Sequence, residues 1–273
     1  MKNKKVLKIG AFILAMLLIL ALVVFAGSFL GNPFAKNRAR KTAEKYISDN
    51  LADTDFYIED VKFSFKDGKY YAHIKEDNSL DKHFELIISM NGEIKYDTFD
   101  NIENKSNTAH RLGYEYRKLT DSVTDNEKFP YKDEIVFGDL LIKKEEYWVE
   151  DVFAQYTLKQ ESLETDKEYD IYELGSKYGM IIVNIETDEV SIEKAAEIML
   201  SIKEMFDKNR IPFKIMEFSL RTPFDEKGNS TSIDTLAFEY DDIDKDGLIE
   251  RIKEADRQAK IYYNKLDELK NNE

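Results

Sequence analysis

From Ile9 to Leu30 the chain reads IGAFILAMLLILALVVFAGSFL, 22 residues without one charge. At a rise of about 1.5 Å per residue such a helix is about 33 Å long, enough to cross a hydrocarbon core of about 30 Å. Lipid offers no partner to an unpaired backbone amide, so a segment placed there has to be helical. A cleaved signal peptide has a shorter apolar core of about 7–15 residues before a small-residue site. Val24-Phe25-Ala26 resembles such a site, but the run is too long and continues past it. The expected outcome is one retained anchor, with the lipid bilayer as its partner through Ile9–Leu30. An acylated-cysteine anchor is excluded, because the chain has no cysteine.

The tail, residues 1–8, carries Lys2, Lys4, Lys5 and Lys8, and the residues after the run carry Lys36, Arg38, Arg40 and Lys41. Four against four is a tie under the positive-inside rule. Long domains cross largely regardless of charge, which favours a cytoplasmic N-terminus and an extracytoplasmic body in a single-pass cell-membrane protein. Without the four tail lysines, 36 basic residues face 54 acidic ones, a net of −18. The basic neck either rests on anionic headgroups, at about 1 kcal/mol per residue, or is an ordinary stop-transfer flank, the reading preferred here.

An acidic surface does not neutralise phosphates, so nucleic acid is not an expected partner. With 42% hydrophobic and 12% aromatic residues the body can bury real cores. Asn32-Pro33 supplies a helix cap and first-turn proline, and Ala39, Ala43, Tyr46, Ile47 and Leu51 then recur at helical spacing. Four strand-like runs follow, Phe56–Phe65, Tyr70–Lys75, His83–Met90 and Glu93–Phe99. They meet in pairs at Asp67-Gly68 and Asn91-Gly92, dipeptides that turn a tight hairpin when both residues take positive φ. A helix over about Thr108–Val123 closes this unit, and polar, proline-bearing Asp125–Lys132 reads as the boundary.

Beyond it the pattern predicts strands at Glu134–Lys143, Phe153–Lys159, Met180–Glu186, Phe213–Thr222 and Ser232–Tyr240. Helices are expected near Ile171–Lys177, after a Ser191 cap, and over about Gly247–Leu269. The fold class is therefore α+β: one transmembrane helix over 9–30, an N-terminal domain over 31–125 (helix, four strands, helix) and a C-terminal domain over 126–273. Both domains are expected to be small antiparallel sheets with helices.

Seven segments carry a resemblance: GNPFAK, FKDGKYYAHI, MNGEIKYDTF, NTAHRLGYEYRKL, FPYKDEIVFGDL, YDIYELGSKYG and VSIEKAAEIMLSIKEMFDKNRIPFKIMEFSLR. In that order, over nearly the full chain, they resemble the YfjL-like family of membrane-anchored proteins of Gram-positive bacteria. The resemblance implies one N-terminal span and an extracytoplasmic α+β body in two parts, and it carries no functional residues. The helix-plus-four-strands order also looks like small inhibitory or regulatory folds of the PepSY or cystatin kind, an analogy of shape alone.

Two constellations invite a metal. Asp242, Asp244 and Asp246 with Gly247 match the opening of an EF-hand loop, but its twelfth place holds Lys253 where a bidentate carboxylate belongs. The competing reading, preferred here, is that Asp244 or Asp246 caps the last helix. If the second and third strands are neighbours, His73 lies near Glu85 and Lys75 near His83, on the face opposite Phe84, Leu86 and Ile88. Two histidines and a glutamate suit a transition metal, whereas Lys75 would repel one, and a solvated polar face is preferred. His110 reads as a surface residue, and Trp148 as partly buried beneath a loop or as a partner anchor. No nucleophile, zinc-protease or phosphate-loop motif is present, so no catalytic residue and no cofactor are assigned. The function expected is a membrane-anchored binding or regulatory module at the cell envelope, with an envelope protein or cell-wall component as partner. The alternative is a carboxylate-dependent extracytoplasmic hydrolase.

Overall fold

The computed structural model describes residues 9–10, 12–19, 25, 31–145 and 152–270, with residues 269 and 270 described by their backbone alone. Within the apolar run, 9–10, 12–19 and 25 are helical and exposed. Among the described residues no helix is long and apolar enough to cross a membrane, and the rest of the run lies outside the described residues. The body forms two units divided between Asn107 and Thr108.

In the first unit, helix α1 (Pro33–Asn50) starts where expected, the Asn32 side chain accepting the Phe34 N–H at 2.8 Å. Ala35, Ala39 and Ala43 are its buried residues, small enough to let the backbone lie close on a sheet. That sheet is β1 (Phe56–Ser64), β2 (Lys69–Glu76), β3 (His83–Ile88) and β4 (Ile94–Asp97), antiparallel in sequence order. Val61, Tyr70, Ile74, Phe84, Leu86 and Ile88 fill the layer between them. His73 pairs with Glu85 and Lys75 with His83, the register inferred from alternation. A short helix α2 (Asp100–Glu103) follows.

The hairpin turns differ from expectation. Only Gly68 and Gly92 take positive φ, 69° and 88°. The loops are Phe65–Gly68 and Met90–Gly92, with the Gly68 N–H bonded to the Ser64 carbonyl and the Gly92 N–H to the Ser89 carbonyl, both at 2.9 Å. Loops of three or four residues begin as ordinary right-handed turns and need a left-handed residue only at the end.

The boundary at Asp125–Lys132 also moves. Helix α3 (Ser106–Thr124) buries Leu112 and Tyr116 with Leu140, Leu163 and Leu174, so it belongs to the second unit from Thr108 onward. The polar stretch after it is no linker, because Phe129 is pinned in the second unit's main core with Val123 and Val136.

The second unit continues with β5 (Ile135–Leu140), β6 (Ile142–Lys143), β7 (Leu158–Lys159), helix α4 (Ile171–Tyr178) and β8 (Gly179–Glu186). Helix α5 (Ile192–Lys208), β9 (Ile215–Arg221), β10 (Ser232–Glu239) and helix α6 (Leu248–Lys270) complete it. Its main sheet runs β10-β9-β8-β5. It is mixed rather than antiparallel: β8 and β9 are parallel, because α5 carries the chain back to its starting edge, the connection parallel strands require. Ser191 caps α5 through the Lys194 N–H at 3.1 Å. Ala195, Met199, Ile202 and Phe206 pack on Ile181, Val183, Met216, Phe218 and Leu220. The strand expected over Phe153–Lys159 shrinks to β7, with a single 3-10 turn at Ala154–Tyr156 before it. Turning there brings Phe153 and Tyr156 onto one cluster with Leu141, Met180 and Ile215, which an extended chain would separate.

Candidate functional site

On the second unit, α6, the β10 strand and residues 152–156 line an open groove of about 860 Å³. Its floor is apolar, made by Leu236, Ala237, Ala255, Ala259 and Tyr262. Two local features open it. The pairing of β10 with β9 slips between Thr235 and Phe238, and such a bulge re-aims side chains. On α6, Leu248 and Ile252 are buried in the core, while Ala255 and Ala259 put only small side chains into the groove over the next two turns.

Three of the four acids lining the groove, Glu239, Glu250 and Glu254, are engaged by neighbouring side chains. Glu239 accepts the Tyr156 hydroxyl at 2.7 Å and the Lys214 ammonium at 2.5 Å. The Lys214 bond, then the Tyr156 bond, holds the Glu239 carboxyl below its usual range. Burial, reinforced by Glu239, pushes the Tyr156 phenol up to about 12. Glu254 is lowered to about 2 by Arg257 and Gln258, and Glu250 bridges Lys253 at 2.8 Å. A fully engaged carboxylate makes a poor general base, so this arrangement suits binding an apolar surface with polar edges rather than proton transfer.

The Asp242–Asp246 loop lies at one end, and its centre is taken by a side chain. The Arg251 guanidinium donates to the carbonyls of Asp242 (2.9 Å), Asp244 (3.1 Å) and Asp246 (2.7 Å), and to Asp244 Oδ1 at 3.3 Å. The expected cap differs too: Asp244 Oδ1 accepts the Asp246 N–H at 2.8 Å, a turn within the loop. The tenth loop residue thus supplies internally the positive charge that the motif recruits from solution. Calcium titration of the native protein is expected to leave its melting temperature unmoved. Arg251→Ala should cost about 1–2 kcal/mol through the lost charged hydrogen bonds, read by thermal unfolding; a calcium-raised melting temperature of the native chain would refute this arrangement.

On the first unit's open sheet face, His73 Nδ1 lies 2.8 Å from Glu85 Oε1 and its Nε2 3.6 Å from Asp60 Oδ1. Asp60 is held below its usual range chiefly by Lys62, at 2.9 Å. His83 stands opposite Lys75, two pairs further along, and Lys75 bridges Glu59 at 2.6 Å. Among the described residues no group of three or more His, Asp or Glu side chains is placed to hold a metal. Trp148 lies outside the described residues, and His110 is exposed on α3.

Sequence reasoning missed one site residue. Asp139 sits in a second concavity of about 430 Å³ with His110, Tyr114, Arg117 and Gln160. Surrounding protein atoms push its carboxyl up, opposed by the Leu140 N–H and by Arg117. The available signal was an aspartate inside a strand, where that residue is disfavoured. A raised carboxyl pKa means the folded state binds the proton more tightly than the unfolded one. Its stabilising effect is therefore complete below the unfolded value and is lost as pH rises through the folded one. Asp139→Asn should stabilise at pH 7, by under about 1 kcal/mol since water reaches the carboxylate. The gain should vanish below about pH 4, where the native carboxyl is itself neutral; melting curves at the two pH values check both arms.

Residues 3–98 match the YfjL-like N-terminal domain and residues 115–253 the YfjL-like C-terminal domain. The two matches bracket the division between Asn107 and Thr108. No curated protein and no solved structure matches the chain.

Proposed function

Since the chain belongs to the YfjL-like family and carries both of its domains in order, we propose that it is a membrane-anchored extracytoplasmic binding or regulatory module of the cell envelope. The anchor is Ile9–Leu30, whose charge-free length suits one crossing. The observation that carries the binding reading is the groove along α6: an apolar floor, an open mouth, and three of its four acids paired with neighbouring side chains. An envelope protein presenting an apolar segment with polar flanks is the partner such a surface fits.

The competing hydrolase reading draws on Asp139, whose raised pKa is a feature of catalytic acids. Its concavity is lined by that one carboxylate, however, and glycosidase-type chemistry takes two. Binding is therefore the better reading.

The test is a photo-reactive residue at Gln258, on the groove's rim, in the full chain in its own membrane. A discrete adduct is expected, and Ala255→Arg, which fills the floor, should abolish it. An adduct that survives the filled groove would overturn the assignment. A reporter fused after Glu273 that works only outside the cell is expected to be active.

A further inference from the structure

We propose that the end of the first unit nearest the apolar run is a lipid-contacting face, seating Phe34, Phe65 and Met90 in the bilayer interface and Lys36, Arg38 and Lys66 on anionic headgroups. This rests on the anchor reading above and adds to it an orientation of the unit on the bilayer.

The first observation is the missing linker. The run ends at Leu30, and Gly31 is already buried, so close to Phe63 that an added Cβ would lie 2.7 Å from its ring. The backbone of Asn32 is then clamped by one hydroxyl: its N–H donates to Tyr70 Oη at 2.7 Å, and the Tyr70 O–H donates back to the Asn32 carbonyl at 2.9 Å. A residue reaches at most about 3.6 Å, so the fold begins within two residues of the bilayer surface. An anchored chain cannot hold this end away from it.

The second observation is what that end displays. Phe34 lies in the first turn of α1, Phe65 opens the β1–β2 loop two residues after Phe63, and Met90 opens the β3–β4 loop, whose Gly92 carbonyl accepts the α1 hydroxyl of Thr42. Both loops and the start of α1 therefore lie at one end of the sheet. Phe34 is 83%, Phe65 60% and Met90 45% exposed. Three substantially exposed apolar side chains at separate tips on one end make a surface that a further apolar phase would cover favourably.

The third observation is charge. Lys36, Arg38 and Lys66 are exposed at this end. Of its acids, Asp67 accepts the Tyr71 hydroxyl at 2.6 Å, and Glu93 bridges Lys95 at 2.7 Å. The opposite end carries Asp53, Asp55 and Asp77, all exposed. The unit is polarised, positive beside the run and negative away from it, in a chain of net charge −14. Apolar tips ringed by lysine and arginine match an anionic lipid surface; a protein partner would have to share the same gap with the headgroups.

The chain's lack of cysteine permits single substitutions Phe65→Cys, Met90→Cys and, as a control on the opposite end, Leu80→Cys, each carrying a fluorophore. The full-length variants are reconstituted in phosphatidylcholine vesicles with or without phosphatidylglycerol, with a nitroxide quencher on the lipid. Labels at positions 65 and 90 are expected to be quenched severalfold more than at 80. Lys36→Glu with Lys66→Glu should weaken this in the anionic vesicles, each charge being worth about fivefold near the surface. Labels at 65 and 90 no more quenched than at 80, in protein that floats with the vesicles, overturn the proposal and leave the anchor standing. Protein that does not float overturns both.

Discussion

If the proposed anchor holds the protein, Leu17→Arg combined with Leu18→Arg is expected to release it from membranes. Both leucines lie in the middle of the charge-free run, where each arginine costs about 2.5–3.5 kcal/mol on insertion scales. The pair therefore opposes insertion by about 5–7 kcal/mol, which shifts partitioning by several thousandfold or more. Neither side chain is in any of the body's buried cores, so the body should keep its circular dichroism and its cooperative unfolding. Quantitative sedimentation after alkaline extraction is the readout. A double variant that stays with the bilayer would mean that something other than this run holds the protein there.

The second large effect lies in the second unit. Tyr116 is fully buried, its ring packed against Gly175 and Gly179 so closely that a Cβ on Gly179 would sit 2.4 Å from its hydroxyl. That hydroxyl donates to the Pro212 carbonyl at 2.9 Å, tying α3 to the segment before β9. Tyr116→Ala should cost about 3–5 kcal/mol, the range for emptying an aromatic site, because neighbouring glycines have no side chain with which to refill the space. Tyr116→Phe keeps the ring and should cost about 1 kcal/mol for the lost hydrogen bond. Urea unfolding of the full chain in detergent separates the two. A loss under about 1 kcal/mol for the alanine variant would show that the ring is not the keystone of that cluster.

What could be read from the sequence was whatever a local period dictates. Asn32-Pro33 and Ser191 announced their helices because capping is settled within four residues. The pairing of His73 with Glu85 was one of the registers that the alternation left open once the two strands were taken as neighbours, and the observed one keeps Phe84 and Leu86 out of water. What escaped depends on contacts distant in sequence. Phe129 looked like part of a linker because nothing near it shows that Val123 and Val136 receive its ring. The parallel pairing of β8 with β9 leaves no mark in either strand alone. The aspartate loop matched a calcium motif for eight residues, and the side chain that fills it, Arg251, sits one turn into the next helix. The groove was hidden more deeply, since Ala255 and Ala259 read as ordinary helix residues until a bulged strand faces them.

The anchor, the lipid-facing end and the envelope role all depend on where residues 9–30 reside. Alkaline extraction of native membranes followed by flotation of the full-length protein measures that directly. The chain should rise with the lipid and resist both carbonate and high salt. Recovery in the soluble fraction after either wash would contradict the account.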